Sequence, residues 1–406
     1  MVRSFWFSIA VSVIAAVATP PAQVPAVSSS QEVDDGRRWL ESPAPLTPAS
    51  PAILRAAEAV ALNKAANAAA LLRGIIRSQP RSEAASQAHQ LLSRIYLRSG
   101  QYKRLLANLD EWARGFPRRD DIERERMDVE QFRGLPDQEN GPRRASTLRH
   151  DADSLFVPVS INNRSASFFF DTGAWVSLMT ESEATRHGLQ IREGGGVISD
   201  PSEKGVKSRF TVVRELAIGS MRFRNVSFLV LPNQGPFTGM VGLIGMPVLL
   251  GVGSIRWSND ATVEFGGRAD PNDRKPPNLV FYRNRLLLRA LVSGRPSFAT
   301  FDTGAVSTDL NANFATEFAE LVERGGTRTS QDTTGVGGTT SFDAIRLPQV
   351  AFEIAGVQRF LRPAVVTLQR TPNMGGDCCL GNVGKDLLTQ GRGFSIDFTA
   401  MTLSLH

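Results

Sequence analysis

Apolar and polar positions alternate through much of the second half of the chain, and the alternation predicts β-strands. Leu155, Phe156, Val157, Val159 and Ile161 form one such run, followed by Phe168, Phe169 and Phe170. The same arrangement returns in Leu286, Leu287, Leu288, Ala290 and Val292, followed by Phe298 to Phe301. Two further alternating stretches, Ser254 to Phe265 and Phe394 to Leu405, predict half-buried strands that close each copy. Upstream, from Pro51 to about Phe132, the apolar spacing changes to about 3.6 in Ala-, Leu-, Arg- and Gln-rich sequence, which predicts successive helices. Residues 19–50 are rich in Pro, Ala and Ser without a period, as a flexible linker is. Residues 1–18 carry Arg3, an apolar run from Phe5 to Ala18 and the small residues Ala16, Val17 and Ala18, the pattern of a secretory signal. That run is shorter than the roughly 20 residues of a membrane span, and no comparable run follows, so no stable span is expected.

The string Phe170, Asp171, Thr172, Gly173, Ala174 recurs as Phe301, Asp302, Thr303, Gly304, Ala305. A second identical pentamer has chance odds on the order of one in ten thousand in a chain this long, so the repeat is read as a duplication. Further on, Leu243, Ile244 and Gly245 are set against Cys379, Leu380 and Gly381. The chain divides accordingly: signal 1–18, linker 19–50, helical domain 51–134, linker 135–152, first lobe 153–266, linker 267–280 and second lobe 281–406.

An Asp-Thr-Gly triplet after an apolar strand, with two apolar residues and a glycine further on, resembles the signature of aspartic proteases. Ala174 and Ala305 bring the copies closer to retropepsin-type lobes, since pepsin-type lobes usually carry Ser or Thr there. The resemblance covers about residues 153–406. It implies a mainly β fold, two β-barrel lobes behind an α-helical domain, and an aspartic endopeptidase that hydrolyses peptide bonds. It further implies that Asp171 and Asp302 share one proton and activate water as base and acid. Gly173 and Gly304 would give the tight turns, and Thr172 and Thr303 would lock the two turns together. Gly335, Val336, Gly337 and Gly338 resemble a flap tip that closes over peptide, whereas the matching stretch of the first lobe, Ser199 to Ser208, is polar. None of Tyr96, Tyr102 and Tyr282 stands in a flap position. With alanine after each triplet the carboxylates lose hydroxyl donors, so a mildly acidic to near-neutral optimum is expected. In the helical segment, Leu92, Tyr96, Gly100, Tyr102, Leu105, Leu109, Trp112 and Pro117 resemble one tetratricopeptide repeat, a helix pair suited to a protein partner.

Other chemistries find no support. His89, His150, His187 and His406 lie far apart and make no His-Glu-x-x-His pattern, so neither metal nor cofactor is implied. Gly194 to Gly196 lack the Gly-Lys-Ser/Thr of a phosphate loop, and no Gly-x-Ser-x-Gly elbow occurs. The net charge of +6 is spread with both signs mixed, which does not favour nucleic acid. Cys378 and Cys379 are adjacent, to be read as buried small hydrophobes or as a vicinal disulfide in an oxidising compartment. The signal and the arginine- and alanine-rich composition point to a bacterial periplasmic or secreted setting. A peptide-binding scaffold with the same lobes and no catalysis is the alternative reading.

Overall fold

The computed structural model describes residues 51–117, 119–150, 155–198, 205–233, 242–267, 275–335, 338–369 and 378–406. The expected signal and first linker lie outside these residues. Among the described residues five helices come first: α1 (Pro51–Ala61), α2 (Ala65–Ser78), α3 (Glu83–Arg98), α4 (Tyr102–Gly115) and α5 (Asp120–Glu130). Ser82 caps α3 by accepting the Ala85 amide at 3.1 Å, and Gly100, at φ +68°, turns the chain from α3 into α4 in a conformation that favours glycine. Leu72, Ala88, Leu92, Leu105, Leu109 and Trp112 are buried between the helices. A polar network sets their register: Asn108 Nδ2 donates to Ser93 Oγ at 2.9 Å, and Trp112 Nε1 donates to Ser86 Oγ at 2.9 Å.

In the first lobe, strands Met221–Leu231, Ser177–Thr180, Gly242–Ile244, Arg164–Phe170, Phe156–Ile161 and Arg209–Ile218 pair in that order. The last pairs back onto the first, which closes a barrel. The second lobe repeats these pairings in an open, curled sheet. Its strands Arg285–Val292 and Arg295–Phe301 correspond to Phe156–Ile161 and Arg164–Phe170, and Gly381–Val383 corresponds to Gly242–Ile244. The long strands Arg209–Ile218 and Met221–Leu231 of the first lobe are each replaced by two shorter ones. Gly338–Leu347 and Val350–Ile354 flank Pro348, and Val357–Leu361 and Ala364–Thr367 flank Pro363. Proline has no N–H for a ladder, so the wall that closes the first barrel is interrupted in the second.

A third sheet joins the lobes: Ser146–Arg149, Thr262–Phe265, Ser254–Ser258, Gly393–Asp397 and Thr402–Leu405. The closing strands of both copies meet in it, with Trp257 opposite Phe394 and their rings stacked at 5.4 Å. One apolar core runs from Leu155 to Leu405 through both lobes and this sheet. Ser146–Arg149 of this sheet and the short strand Glu139–Asn140, which pairs with Met221–Leu231 of the first lobe, lie within 135–152, where the sequence pattern indicates a linker.

The architecture is mixed α/β, which corrects the mainly β expectation. The N-terminal helices pack in one apolar cluster with residues of the first lobe, and each lobe carries helices at matching places. Glu181–Arg186 and Ala312–Glu317 follow the strands Ser177–Thr180 and Asp309–Leu310, and Met246–Val252 and Lys385–Leu388 follow Gly245 and Gly384. These helices are only 4 to 7 residues long, too short for a periodic signal to stand out. Among the described residues no helix is long and apolar enough to cross a membrane.

Candidate active site

Asp171 and Asp302 each stand where an apolar strand ends against a parallel neighbour. Their amides donate to the Ile244 and Val383 carbonyls, both at 3.0 Å. Each carboxyl then turns back onto its own loop: Asp171 Oδ1 accepts the Gly173 and Ala174 amides at 2.8 and 3.1 Å, and Asp302 Oδ1 accepts the Gly304 amide at 2.7 Å.

The two loops need their glycines because of each other. A Cβ on Gly173 would lie 2.6 Å from Asp302 Cγ, and one on Gly304 would lie 2.6 Å from Asp171 Cγ. The threonines cross in a reciprocal set of bonds. The Thr172 amide donates to Thr303 Oγ1 at 3.1 Å and the Thr303 amide to Thr172 Oγ1 at 3.0 Å. The hydroxyls donate onward, Thr172 Oγ1 to the Phe301 carbonyl at 2.9 Å and Thr303 Oγ1 to the Phe170 carbonyl at 2.6 Å. Every donor in this exchange is buried and satisfied.

The glycine motifs support the loops from behind. Gly245 and Gly384 donate to Ser177 Oγ and Thr308 Oγ1, both at 3.0 Å. The next amides, of Met246 and Lys385, donate to the Ala174 and Ala305 carbonyls, both at 2.8 Å. The counterpart of Leu243-Ile244-Gly245 is therefore Asn382-Val383-Gly384, which corrects the match to Cys379-Leu380-Gly381. Asn382 puts a polar side chain where the motif is otherwise apolar, and that displaced the sequence match by three positions. Cys378 and Cys379 are buried and joined to each other.

Asn382 belongs to a row that differs between the lobes. Phe169, Leu243 and Leu178 are neighbours in the first barrel, and their counterparts Thr300, Asn382 and Asp309 are neighbours in the second. Thr300 Oγ1 donates to Asn382 Oδ1 at 2.6 Å, and Asn382 Nδ2 donates to Asp302 Oδ2 at 3.1 Å. Asp386 stands where the first lobe has Pro247 and accepts the Thr308 amide and hydroxyl at 2.9 and 2.6 Å. The apolar pattern gave these residues no signal as a group; an alignment anchored on Gly245 and Gly384 brings them into register.

Burial holds the Asp171 carboxyl well above the ordinary carboxylate range, and the facing Asp302 charge adds to the rise. Burial also raises Asp302, but the bond from Asn382 opposes it. Asp309 is pushed up to about 7 by burial and by the charges of Asp386 and Asp302. Among the described residues no group of His, Cys, Asp and Glu could hold a metal ion.

Both lobes place a hairpin at the corresponding point. In the second lobe Thr327–Gly335 pairs with Gly338–Leu347, and Gly335 faces Gly338 as the last pair. Val336 and Gly337 lie outside the described residues. In the first lobe Val197–Ile198 pairs with Val206–Lys207, and residues 199–204 between them also lie outside.

Residues 157–248, which span Asp171 and Gly245, match the family model described as aspartyl protease. The first lobe is thus a domain of aspartyl-protease type. Among solved structures, a retropepsin-like aspartic protease from Rickettsia conorii is similar at 18% identity, over 32% of this chain and 92% of that one, with a TM-score of 0.22. No curated protein matches the chain.

Proposed function

We propose that the chain is an aspartic endopeptidase in which Asp171 and Asp302 act together on one water molecule. The observation that carries this reading is the reciprocal seating of the loops, each glycine lying against the opposite carboxyl. Two buried carboxyls in one space cannot both ionise easily, so the pair retains a proton near neutral pH. The ionised member takes a proton from water as its oxygen attacks the scissile carbonyl, and the protonated member donates to the carbonyl oxygen. Thr172, Gly173, Thr303 and Gly304 hold the pair in place. The hairpin ending at Gly335 and Gly338, with Val336 and Gly337 between them, is proposed to close over the peptide.

The signal-like residues 1–18 favour a periplasmic or secreted enzyme, and the tetratricopeptide-like helices favour a protein partner. The test is cleavage of a mixed peptide library by the purified chain from roughly pH 3 to 8, with Asp171→Asn and Asp302→Asn as controls. Cleavage lost in both variants, with the fold intact, is the expected result. A folded chain that cleaves nothing would favour the peptide-binding scaffold instead.

A further inference from the structure

The two carboxyls sit in duplicated loops, yet their surroundings are not equivalent. The outer oxygen of Asp302 accepts a hydrogen bond from Asn382 Nδ2. The corresponding oxygen of Asp171, Oδ2, is buried and receives no bond from an amide or hydroxyl donor among the described residues; the side-chain hydrogen bond of Asp171 is with the Asp302 carboxyl itself. Leu243, the counterpart of Asn382, has no donor to offer it.

Asn382 Nδ2 donates to Asp302 Oδ2 at 3.1 Å, the orientation that suits an ionised Asp302, since a carboxylate only accepts. The opposite face is Oδ1, to which the Thr300 hydroxyl donates at 2.6 Å, the Gly381 carbonyl being a second, longer acceptor for it at 3.0 Å. In the first lobe the counterpart of Thr300 is Phe169, so the whole relay is confined to the second lobe. Asn382 is 6% exposed, and a buried amide donor strengthens its bond to a charged acceptor.

We propose that Asn382 is a positioning residue that assigns the roles within the pair, holding Asp302 as the ionised member and leaving Asp171 as the protonated one. This rests on the endopeptidase reading and goes beyond it by distinguishing the two aspartates. Asp302 then accepts a proton from water as the water oxygen bonds to the carbonyl carbon, and Asp171 gives its proton to the carbonyl oxygen. In the collapse, Asp302 passes its new proton to the amide nitrogen, the C–N bond breaks, and Asp171 regains a proton from a hydroxyl of the intermediate. The other titratable groups around Asp302 are Asp171, Asp309 on the adjacent strand and, beyond Asp309, Asp386. All three are acids. Charge on Asp302 is favoured first by the bond from Asn382, then by the hydrogen bond with the Asp171 carboxyl and by the Gly304 and Ala305 amides, and of these only the Asn382 bond comes from a non-titrating side chain.

The test uses the full chain and the variants Asn382→Leu, Thr300→Val and Thr300→Ser. In Asn382→Leu the acid limb of the kcat/KM profile moves to higher pH, so the rate at a fixed pH on that limb falls roughly tenfold, with KM nearly unchanged. Thr300→Val moves the limb the same way by less, and Thr300→Ser keeps the wild-type profile. Carboxyl NMR of ¹³C-aspartate-labelled protein, with Asp302→Asn for assignment, follows Asp302 directly and does not depend on cleavage. Titration of Asp302 at higher pH in Asn382→Leu supports the assignment even if no substrate is found. An Asp302 titration and acid limb that stay in place would overturn it, and a lower rate at every pH would mark Asn382 as merely structural. A wild type that cleaves nothing would count against the endopeptidase reading alone, since the NMR titration still decides this one. If Asn382→Leu fails to fold, Thr300→Val gives the same readouts.

Discussion

Phe132, just past the helical domain's last helix, meets Trp175 edge-on with ring centroids 5.4 Å apart. Trp175 directly follows the first Asp-Thr-Gly-Ala string. Phe132 also stacks on Tyr102 at 4.7 Å and packs against Phe210 at 5.7 Å. The helices and the first lobe therefore share one apolar cluster, which includes Ala174, Val176 and Leu243.

Phe132→Ala is expected to destabilise the protein by about 3 to 5 kcal/mol, the usual cost of emptying a buried aromatic site. Urea unfolding checks this. A loss confined to the helices, with the lobes unaffected, would contradict the shared cluster.

Thr172→Val leaves the Thr303 amide without its acceptor and the Phe301 carbonyl without its donor, both inside the site. The expected cost is about 1 to 3 kcal/mol for each group left unpaired, with kcat reduced more than KM is raised. Denaturant unfolding and steady-state kinetics read the two effects separately.

Gly173→Ala would force a methyl group against Asp302. The carboxyl must shift, and a displacement near 1 Å at reacting groups lowers rates by roughly a hundredfold. Full activity in this variant would show that the two loops do not abut as described.

Asp309 gives a prediction about stability. Its folded value of about 7 lies above the ordinary carboxylate value, so the folded state retains a proton that the unfolded chain has released. This group's contribution is greatest below pH ~4 and is lost as the pH rises to about 7. Asp309→Asn removes that dependence. Melting temperatures at pH 5 and pH 8 should differ less in the variant than in the wild type, with the variant the more stable at pH 8.

The duplicated strings and the strands approaching them were legible because a short identical string on an alternating pattern is a strong local signal. The closing strands Ser254–Ser258 and Gly393–Asp397 were legible for the same reason. The second glycine motif was displaced because Asn382 replaces the apolar residue by which the motif is recognised. The opening of the second barrel depends on Pro348 and Pro363, whose effect appears only once the strands they interrupt are matched to the unbroken ones of the first lobe. The docking of Phe132 on Trp175 and Phe210 leaves no periodic trace, since it joins stretches far apart in the chain.

The pairing of Ser254–Ser258 with Gly393–Asp397 has a consequence for dilution. Both strands belong to one polypeptide, so the halves that carry the two aspartates meet by intramolecular closure at an effective concentration fixed by the chain. Two loops brought together in this way keep their relative geometry however dilute the protein becomes, so the proposed cleavage would have a rate per molecule set by the chain and not by how often two chains meet.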